Sequence, residues 1–291
     1  MPVVLGIDAA WTEHGSSGIA LLRVSEGTCN VVAVTPSYAG FIGLAKGELV
    51  DWRRPPGGVP FVPELLAAAA SLGGAGVDVV AIDMPMSRVP IEGRRPADRA
   101  ISSEFGGRGA AVHSPNSTRP DRAVTQMVKS IEDEGFKLAT RLTDRPALIE
   151  VYPLAALTRF LCVHRRPAYK VSKIARYGWS GDVKDRIDQL LANWAIIREE
   201  LERQIGPIGI DLPERALVNS ASQLKPYEDA IDAVVSAWIG MCFVAGEAEP
   251  FPVDDPDAAI WIPKPPAPEA PRIRNCDNRL IRTLDQSGLN D

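Results

Sequence analysis

The sequence has few residues of the types that build disulfide frameworks and zinc sites. Its 291 residues include four cysteines and three histidines. The cysteines, Cys29, Cys162, Cys242 and Cys276, are scattered and form no Cys-x-x-Cys pair. Disulfide-rich domains and zinc sites need closely spaced ligands, so neither is expected. Scattered cysteines favour reduced thiols, which are typical of a cytoplasmic protein.

A secretory leader and a long apolar run are also lacking. Residues 1–8 have no basic leader and run directly into a strand-like segment, so we expect no signal peptide. The most apolar helical pattern, residues 230–246, is too short to span a bilayer and contains Asp232. We therefore expect a cytoplasmic protein with no membrane partner.

Neither sign of charge is in large excess. The formal net charge of −5 argues against broad, salt-dependent coating of nucleic acid, although it is compatible with a local basic surface. With 45% hydrophobic and 24% charged residues, the chain has the composition of a folded protein with a sizeable core. No linker divides its middle. We expect one domain over residues 1–263, with an insertion at about 86–146, a helical insertion at about 154–221, and a proline-rich polar tail at 264–291.

The order of apolar segments predicts an α/β fold. Continuous or alternating apolar patterns predict strands at residues 3–9, 19–22, 30–35, 77–82 and 147–151. Turn signals connect the first three of these strands, which indicates a meander. Apolar residues at helical spacing predict helices at residues 62–72, between 122 and 140, at 182–204 and at 226–246. Strands and helices in this order predict a sheet flanked by helices.

Three of the predicted strands end at or near an acidic residue, namely Asp8, Asp83 and Glu150. If the strands of Asp8 and Asp83 are parallel neighbours, both carboxylates lie at the carboxyl ends of the strands, where ligands bind in open α/β sheets. A single Asp after a strand is more often a turn former or a helix N-cap. Two of them after the same apolar pattern favour a shared site.

The last predicted helix contains two further acids, Asp229 and Asp232. Asp232 is the only charged residue between positions 230 and 246. An isolated buried carboxylate needs a partner, a proton or a metal; an arginine partner or a helix-dipole role is the alternative. A spacing of three places both Asp side chains on one helix face, where they could share an ion with Asp8 and Asp83. One side of this helix has small residues that allow close approach, namely Ala230, Ala233, Ala237 and Gly240.

These segments resemble the RNase H-like superfamily, nearest the branch that contains the Holliday-junction resolvases. The fuller resemblance is to an uncharacterised family of predicted RNase H-like nucleases and covers about residues 3–263. It is carried by Gly6-Ile7-Asp8-Ala9-Ala10-Trp11, Ile82-Asp83-Met84-Pro85, Glu150-Val151-Tyr152-Pro153 and Asp229-Ala230-Ile231-Asp232-Ala233.

The resemblance implies a mixed five-stranded sheet flanked by helices and a metal-dependent site for phosphodiester hydrolysis. Asp8, Asp83, Asp229 and Asp232 would be its metal-binding catalytic carboxylates, and Glu150 belongs to the pattern of the uncharacterised family. Nucleases of this fold often have Glu at the position of Asp83, so the shorter side chain is a departure.

Oxygen ligands without a His or Cys cluster suit Mg²⁺ or Mn²⁺. Two such ions, about 3.5–4 Å apart, could activate a water and stabilise the leaving oxygen. By analogy, Asp8 would bridge the ions, with Asp83 on one side and Asp229 and Asp232 on the other.

Two basic stretches are candidates for contacts with the phosphates of a nucleic-acid substrate. The residues concerned are Arg94, Arg95, Arg99 and Arg108 in the first stretch and Arg165, Arg166, Lys170 and Lys173 in the second. Tyr169 and Tyr177 could add base stacking. Solvated faces, or arginines paired with nearby acids, are the alternative interpretation.

Two other functions stay open. A nucleotide phosphotransferase or ATPase of the actin-like type shares this core fold, but it needs two such domains and Gly-rich phosphate hairpins. Residues 13–18 offer one weak candidate for such a hairpin. A non-catalytic nucleic-acid-binding module would keep the fold without the chemistry. The three histidines share no ligand spacing, and Ser114 has no Asp-His arrangement that would activate it.

Overall fold

The computed structural model describes residues 1–25, 28–116, 119–142 and 146–265. The strands are β1 (Val3–Asp8), β2 (Gly18–Ser25), β3 (Thr28–Thr35), β4 (Val79–Ile82), β5 (Lys137–Leu138), β6 (Ala147–Val151), β7 (Ala248–Phe251) and β8 (Ile260–Pro263). The α-helices are α1 (Tyr38–Ala45), α2 (Val62–Gly73), α3 (Pro96–Phe105), α4 (Arg122–Asp133), α5 (Pro153–Phe160), α6 (Val183–Ile205) and α7 (Lys225–Ala245). Beyond residue 265, the predicted polar tail lies outside the described residues.

The strands form one mixed sheet in the order β3-β2-β1-β4-β6-β8-β7, and β5 pairs with β6. The β1-β2-β3 meander is antiparallel, whereas β4 is parallel to both β1 and β6. The predicted α/β class and meander are therefore confirmed. The sheet has eight strands where the resemblance implied five. The additional strands β5, β7 and β8 have only two, four and four residues, too few for a clear apolar pattern.

Helices cover both faces of the sheet. Apolar residues of α3, α5, α6 and α7 form the core on one face, and those of α1, α2 and α4 form the core on the other. The segment 86–146 contains α3, α4 and β5, and 154–221 contains α5 and α6; their description as insertions stays a prediction. None of the helices in the described residues is long and apolar enough to cross a membrane.

Helix α7 lies directly against β1 and the start of β2. A Cβ atom built on Gly6 would lie 2.3 Å from the carbonyl oxygen of Ala233 and 2.3 Å from the amide nitrogen of Ala237. One built on Gly18 would lie 2.0 Å from the carbonyl oxygen of Asp229. Glycine is needed where two backbones approach this closely. This contact, which the small residues of α7 predicted, places the first turns of α7 beside the end of β1.

Candidate functional site

Asp8 and Asp83 lie at the same edge of the sheet. Asp8 is the last residue of β1, and Asp83 directly follows the parallel strand β4. The backbone N–H of Asp83 donates to the carbonyl oxygen of Ile7 over 2.9 Å, so the two residues sit side by side. Both are partly exposed. The prediction that their strands are parallel neighbours is confirmed.

Helix α7 brings Asp229 and Asp232 to this edge. Both are buried, and Asp232 is fully so. The carboxylate of Asp8 lies within electrostatic range of Asp229, and that of Asp83 within range of both Asp8 and Asp232. The four carboxylates singled out in the sequence thus share one site. Glu228, a buried residue that the sequence interpretation missed, lies among them.

Two lysine ammonium groups partly neutralise the acids of α7. The ammonium of Lys170 contacts the Asp232 carboxylate and lies 3.5 Å from Oε1 of Glu228. The ammonium of Lys225 contacts the Asp229 carboxylate and lies 2.9 Å from the same Glu228 oxygen. A buried carboxylate needs such a partner. Lys170, predicted to bind substrate phosphates, therefore pairs with the protein's own acids.

The segment around Lys170 is held in place by two tyrosines. Tyr169 is fully buried, and its hydroxyl donates to Oδ1 of Asp232 over 2.7 Å. The Tyr177 hydroxyl accepts from the backbone N–H of Lys170 over 2.9 Å. Neither ring is available to stack on a base, so that prediction is wrong. Both tyrosines are buried, and their hydroxyl groups help to position Asp232 and Lys170.

Burial, together with the neighbouring negative charge, raises the pKa of most of these acids. Burial and the neighbouring charge of Asp229 raise the pKa of Asp8 to about 7. Burial and the charge of Asp8 raise the pKa of Asp83 well above its usual value. Burial also raises the pKa of Asp232 to about 6, against the opposing effect of Lys170. Within the described residues, no lysine or arginine forms a salt bridge with Asp8 or Asp83.

The raised pKa of Asp8 predicts how stability varies with pH when no divalent ion is present. Between the usual value of 3.8 and about 7, folded Asp8 keeps a proton that the unfolded chain has released. The contribution of Asp8 to the free energy of unfolding therefore falls as pH rises through this window and is flat above it. In urea unfolding with chelator, we expect Asp8→Asn to reduce this dependence. A steeper fall with pH in Asp8→Asn than in the wild type would contradict the assignment.

Glu150 belongs to a buried ion-pair network that lies within electrostatic range of Asp83. Its Oε1 and Oε2 atoms each lie 2.6 Å from a guanidinium nitrogen of Arg95. Arg95 is 6% exposed and also contacts Oδ1 of Asp98 at 2.6 Å. The backbone N–H of Met86 donates to Glu150 over 2.8 Å. This network ties the segment after β4 to β6. Arg95, predicted to contact substrate phosphates, therefore pairs with the protein's own acids, and a catalytic role for Glu150 stays a prediction.

The other predicted phosphate-binding residues have different environments. Arg108 donates to the carbonyl oxygens of Thr158 and Val163 over 2.8 and 2.7 Å, so it fixes a loop. Arg94, Arg99 and Arg165 are exposed, and Arg166 and Lys173 are partly exposed. For these five residues, phosphate binding stays a prediction.

The acids fit a divalent cation in donor chemistry. Carboxylate oxygens are the ligands that Mg²⁺ and Mn²⁺ prefer, and Asp8 and Asp83 form no salt bridge with a lysine or arginine of the described chain. In the described part of the chain, however, no three acidic, His or Cys side chains form a ready-made ion site. Asp229 and Asp232 are already in contact with Lys225 and Lys170. An ion would have to share these carboxylates with the two lysines.

Comparisons with known proteins give one match. The model of a family described as "Protein of unknown function (DUF429)" matches residues 6–257, a range that includes every acid of the site. No curated protein matches the chain. No solved structure matches it either.

Proposed function

We propose a function from the site itself, because the chain belongs to a family described as a protein of unknown function (DUF429). The proposed activity is the hydrolysis of phosphodiester bonds in nucleic acid, dependent on Mg²⁺ or Mn²⁺. One observation carries it: Asp8 and Asp83 stand at the ends of adjacent parallel strands, beside the buried acids of α7, and form no salt bridge with a lysine or arginine of the described chain. Clustered carboxylates at this edge of an α/β sheet favour cation and phosphate chemistry.

Each acid has a distinct part in the proposal. Asp8 and Asp83 would hold the ion from the sheet, and Asp232 and Asp229 would hold it from α7. A bound divalent ion lowers the pKa of a coordinated water and neutralises charge on a phosphoryl oxygen. Lys170 and Lys225 fix the positions of the α7 carboxylates by ion pairs.

The finer description of the fold is also part of the proposal. We propose that β3-β2-β1-β4-β6 is the five-stranded RNase H-like unit implied by the resemblance, and that β8 and β7 extend it at one edge. The antiparallel meander, the parallel strands β4 and β6 and the helices on both faces support this description.

The exposed arginines named above would contact the phosphates of the substrate. A cytoplasmic location stays a prediction from the scattered cysteines.

Thermal unfolding with Mn²⁺ tests the proposal. At a free Mn²⁺ concentration of about 100 times Kd, the ion should stabilise the wild type by about 2.7 kcal/mol. Asp8→Asn should lose this stabilisation, while Asp133→Asn, at an exposed position in α4, should keep it. Wild-type protein and Asp133→Asn should cleave single- and double-stranded DNA or RNA with Mn²⁺ or Mg²⁺, and Asp8→Asn should not.

Two results would count against the proposal. If Mn²⁺ leaves the unfolding of the wild type unchanged, the site holds no such ion. If Asp8→Asn cleaves as fast as the wild type, the cleavage comes from a contaminant. Thermal unfolding with ATP tests the alternative function, because a phosphotransferase or ATPase should be stabilised by the nucleotide.

A further inference from the structure

A cavity that none of the acids of the site lines lies at the start of α7. This cavity of about 350 Å³ has walls that include Trp52, Arg53, Asn219, Gln223 and Tyr227; we call it the Trp52 cavity. The sequence pattern alone does not mark any of these five side chains as functional.

The aromatic wall of the Trp52 cavity is a stacked pair. The ring centroids of Trp52 and Tyr227 lie 5.1 Å apart with an interplanar angle of 26°. Both residues are partly exposed, so ring surface is available to a ligand. Planar heterocycles stack on such rings whatever their hydrogen-bonding pattern, because every nucleobase has a π-face.

The polar wall supplies groups that suit the edge and the phosphate of a nucleotide. Oε1 of Gln223 accepts from the backbone N–H groups of Asn219 and Ser220 over 2.7 and 3.1 Å. This fixes the amide, so its NH₂ group remains as a donor. Arg53 also lines the cavity, and within the described residues it forms no salt bridge. Guanidinium groups bind phosphate oxygens by paired hydrogen bonds.

The Trp52 cavity and the acidic site share their supporting elements. Tyr227 directly precedes Glu228 in α7. The loop that contains Trp52 continues to Gly58, whose N–H donates over 3.3 Å to the carbonyl oxygen of Gly15, in the loop that follows Asp8. Both sites are thus built from the start of α7 and from loops that contact each other.

We propose that the Trp52 cavity binds one nucleobase, stacked on the Trp52–Tyr227 pair, with Arg53 contacting the adjacent phosphate. The inference rests on the proposed function, since the base would belong to the nucleic-acid substrate cleaved at the acidic site. The fixed amide of Gln223 and the charge of Arg53 favour a polar, phosphate-containing ligand. A purely apolar ligand would use neither group.

Isothermal titration with AMP, GMP, CMP and UMP in the presence of EDTA tests the site without the metal. At least one nucleotide should bind, and ribose 5-phosphate should not compete with it. Trp52→Leu should weaken binding about tenfold or more, as expected for the loss of base stacking. Phe61→Leu, which changes an exposed aromatic residue outside the cavity, should leave the affinity unchanged. Arg53→Gln should weaken the binding of a nucleotide but not that of its nucleoside.

Further variants separate the outcomes. Asp8→Asn should bind the nucleotide in EDTA with the same affinity as the wild type. Nucleotide binding to the Trp52 cavity can therefore be tested even if the hydrolysis proposal fails. If Trp52→Leu fails to fold, Gln223→Ala, at an exposed position, should still weaken binding. The inference is overturned if no nucleotide binds, if ribose 5-phosphate competes equally, or if folded Trp52→Leu binds like the wild type.

Discussion

Arg95→Met is expected to lower the free energy of unfolding by about 3–5 kcal/mol, the usual cost of removing one partner from a buried ion pair. The guanidinium is 6% exposed and contacts both Glu150 and Asp98, which are themselves buried. Its loss leaves two carboxylates desolvated with no counter-ion in place. Urea unfolding in the presence of EDTA measures the effect free of any bound ion.

The neighbouring variant Arg94→Met is the matched control. Arg94 is exposed, so the same change there should alter the free energy of unfolding by no more than about 0.5 kcal/mol. Adding Glu150→Gln to Arg95→Met should restore part of the lost free energy of unfolding, because it removes one of the two buried carboxylate charges that no longer have a counter-ion. An Arg95→Met protein as stable as Arg94→Met would refute the structural role of the network.

Lys170→Met should also lower the free energy of unfolding by about 3–5 kcal/mol when chelator is present. The change removes the ammonium that contacts fully buried Asp232 and lies near Glu228. If a divalent ion binds the same acids, Mn²⁺ can replace part of the lost positive charge. Mn²⁺ should therefore stabilise Lys170→Met more than it stabilises the wild type.

Lys173→Met provides the comparison for this prediction. Lys173 lies three residues away and is partly exposed, so its loss should change the free energy of unfolding by no more than about 0.5 kcal/mol. Urea unfolding of the three proteins, with EDTA and with Mn²⁺, gives both quantities. An identical Mn²⁺ effect in the wild type and in Lys170→Met would mean that the ion does not share the carboxylates with Lys170.

Local pattern was sufficient to predict the elements that form the centre of the fold. β1, β4 and β6 are short, mostly apolar runs, and α6 and α7 have long apolar faces. The helices α1, α3 and α5 were missed because they have only eight to ten residues. Two of them begin at Pro96 and Pro153, and proline favours the first position of a helix. Proline is also common in loops and after strands, so neither residue predicts a helix by itself.

The acids of the site could be predicted, whereas most of their partners could not. Asp8 and Asp83 follow the same apolar pattern, and Asp232 is the only charge in an apolar segment. Lys170 is 62 residues from Asp232 and Arg95 is 55 residues from Glu150, so only tertiary packing brings these pairs together. Lys225 is an exception, because it is four residues from Asp229, a helical spacing that favours ion pairs.

Anomalous diffraction from crystals soaked in MnCl₂ tests the metal site most directly. We expect a Mn²⁺ peak bounded by the carboxylates of Asp8 and Asp83 on the sheet and Asp232 on α7, and we expect crystals of Asp8→Asn to lack it. Soaked wild-type crystals with no peak among these three carboxylates, or an unchanged peak in Asp8→Asn, would contradict it.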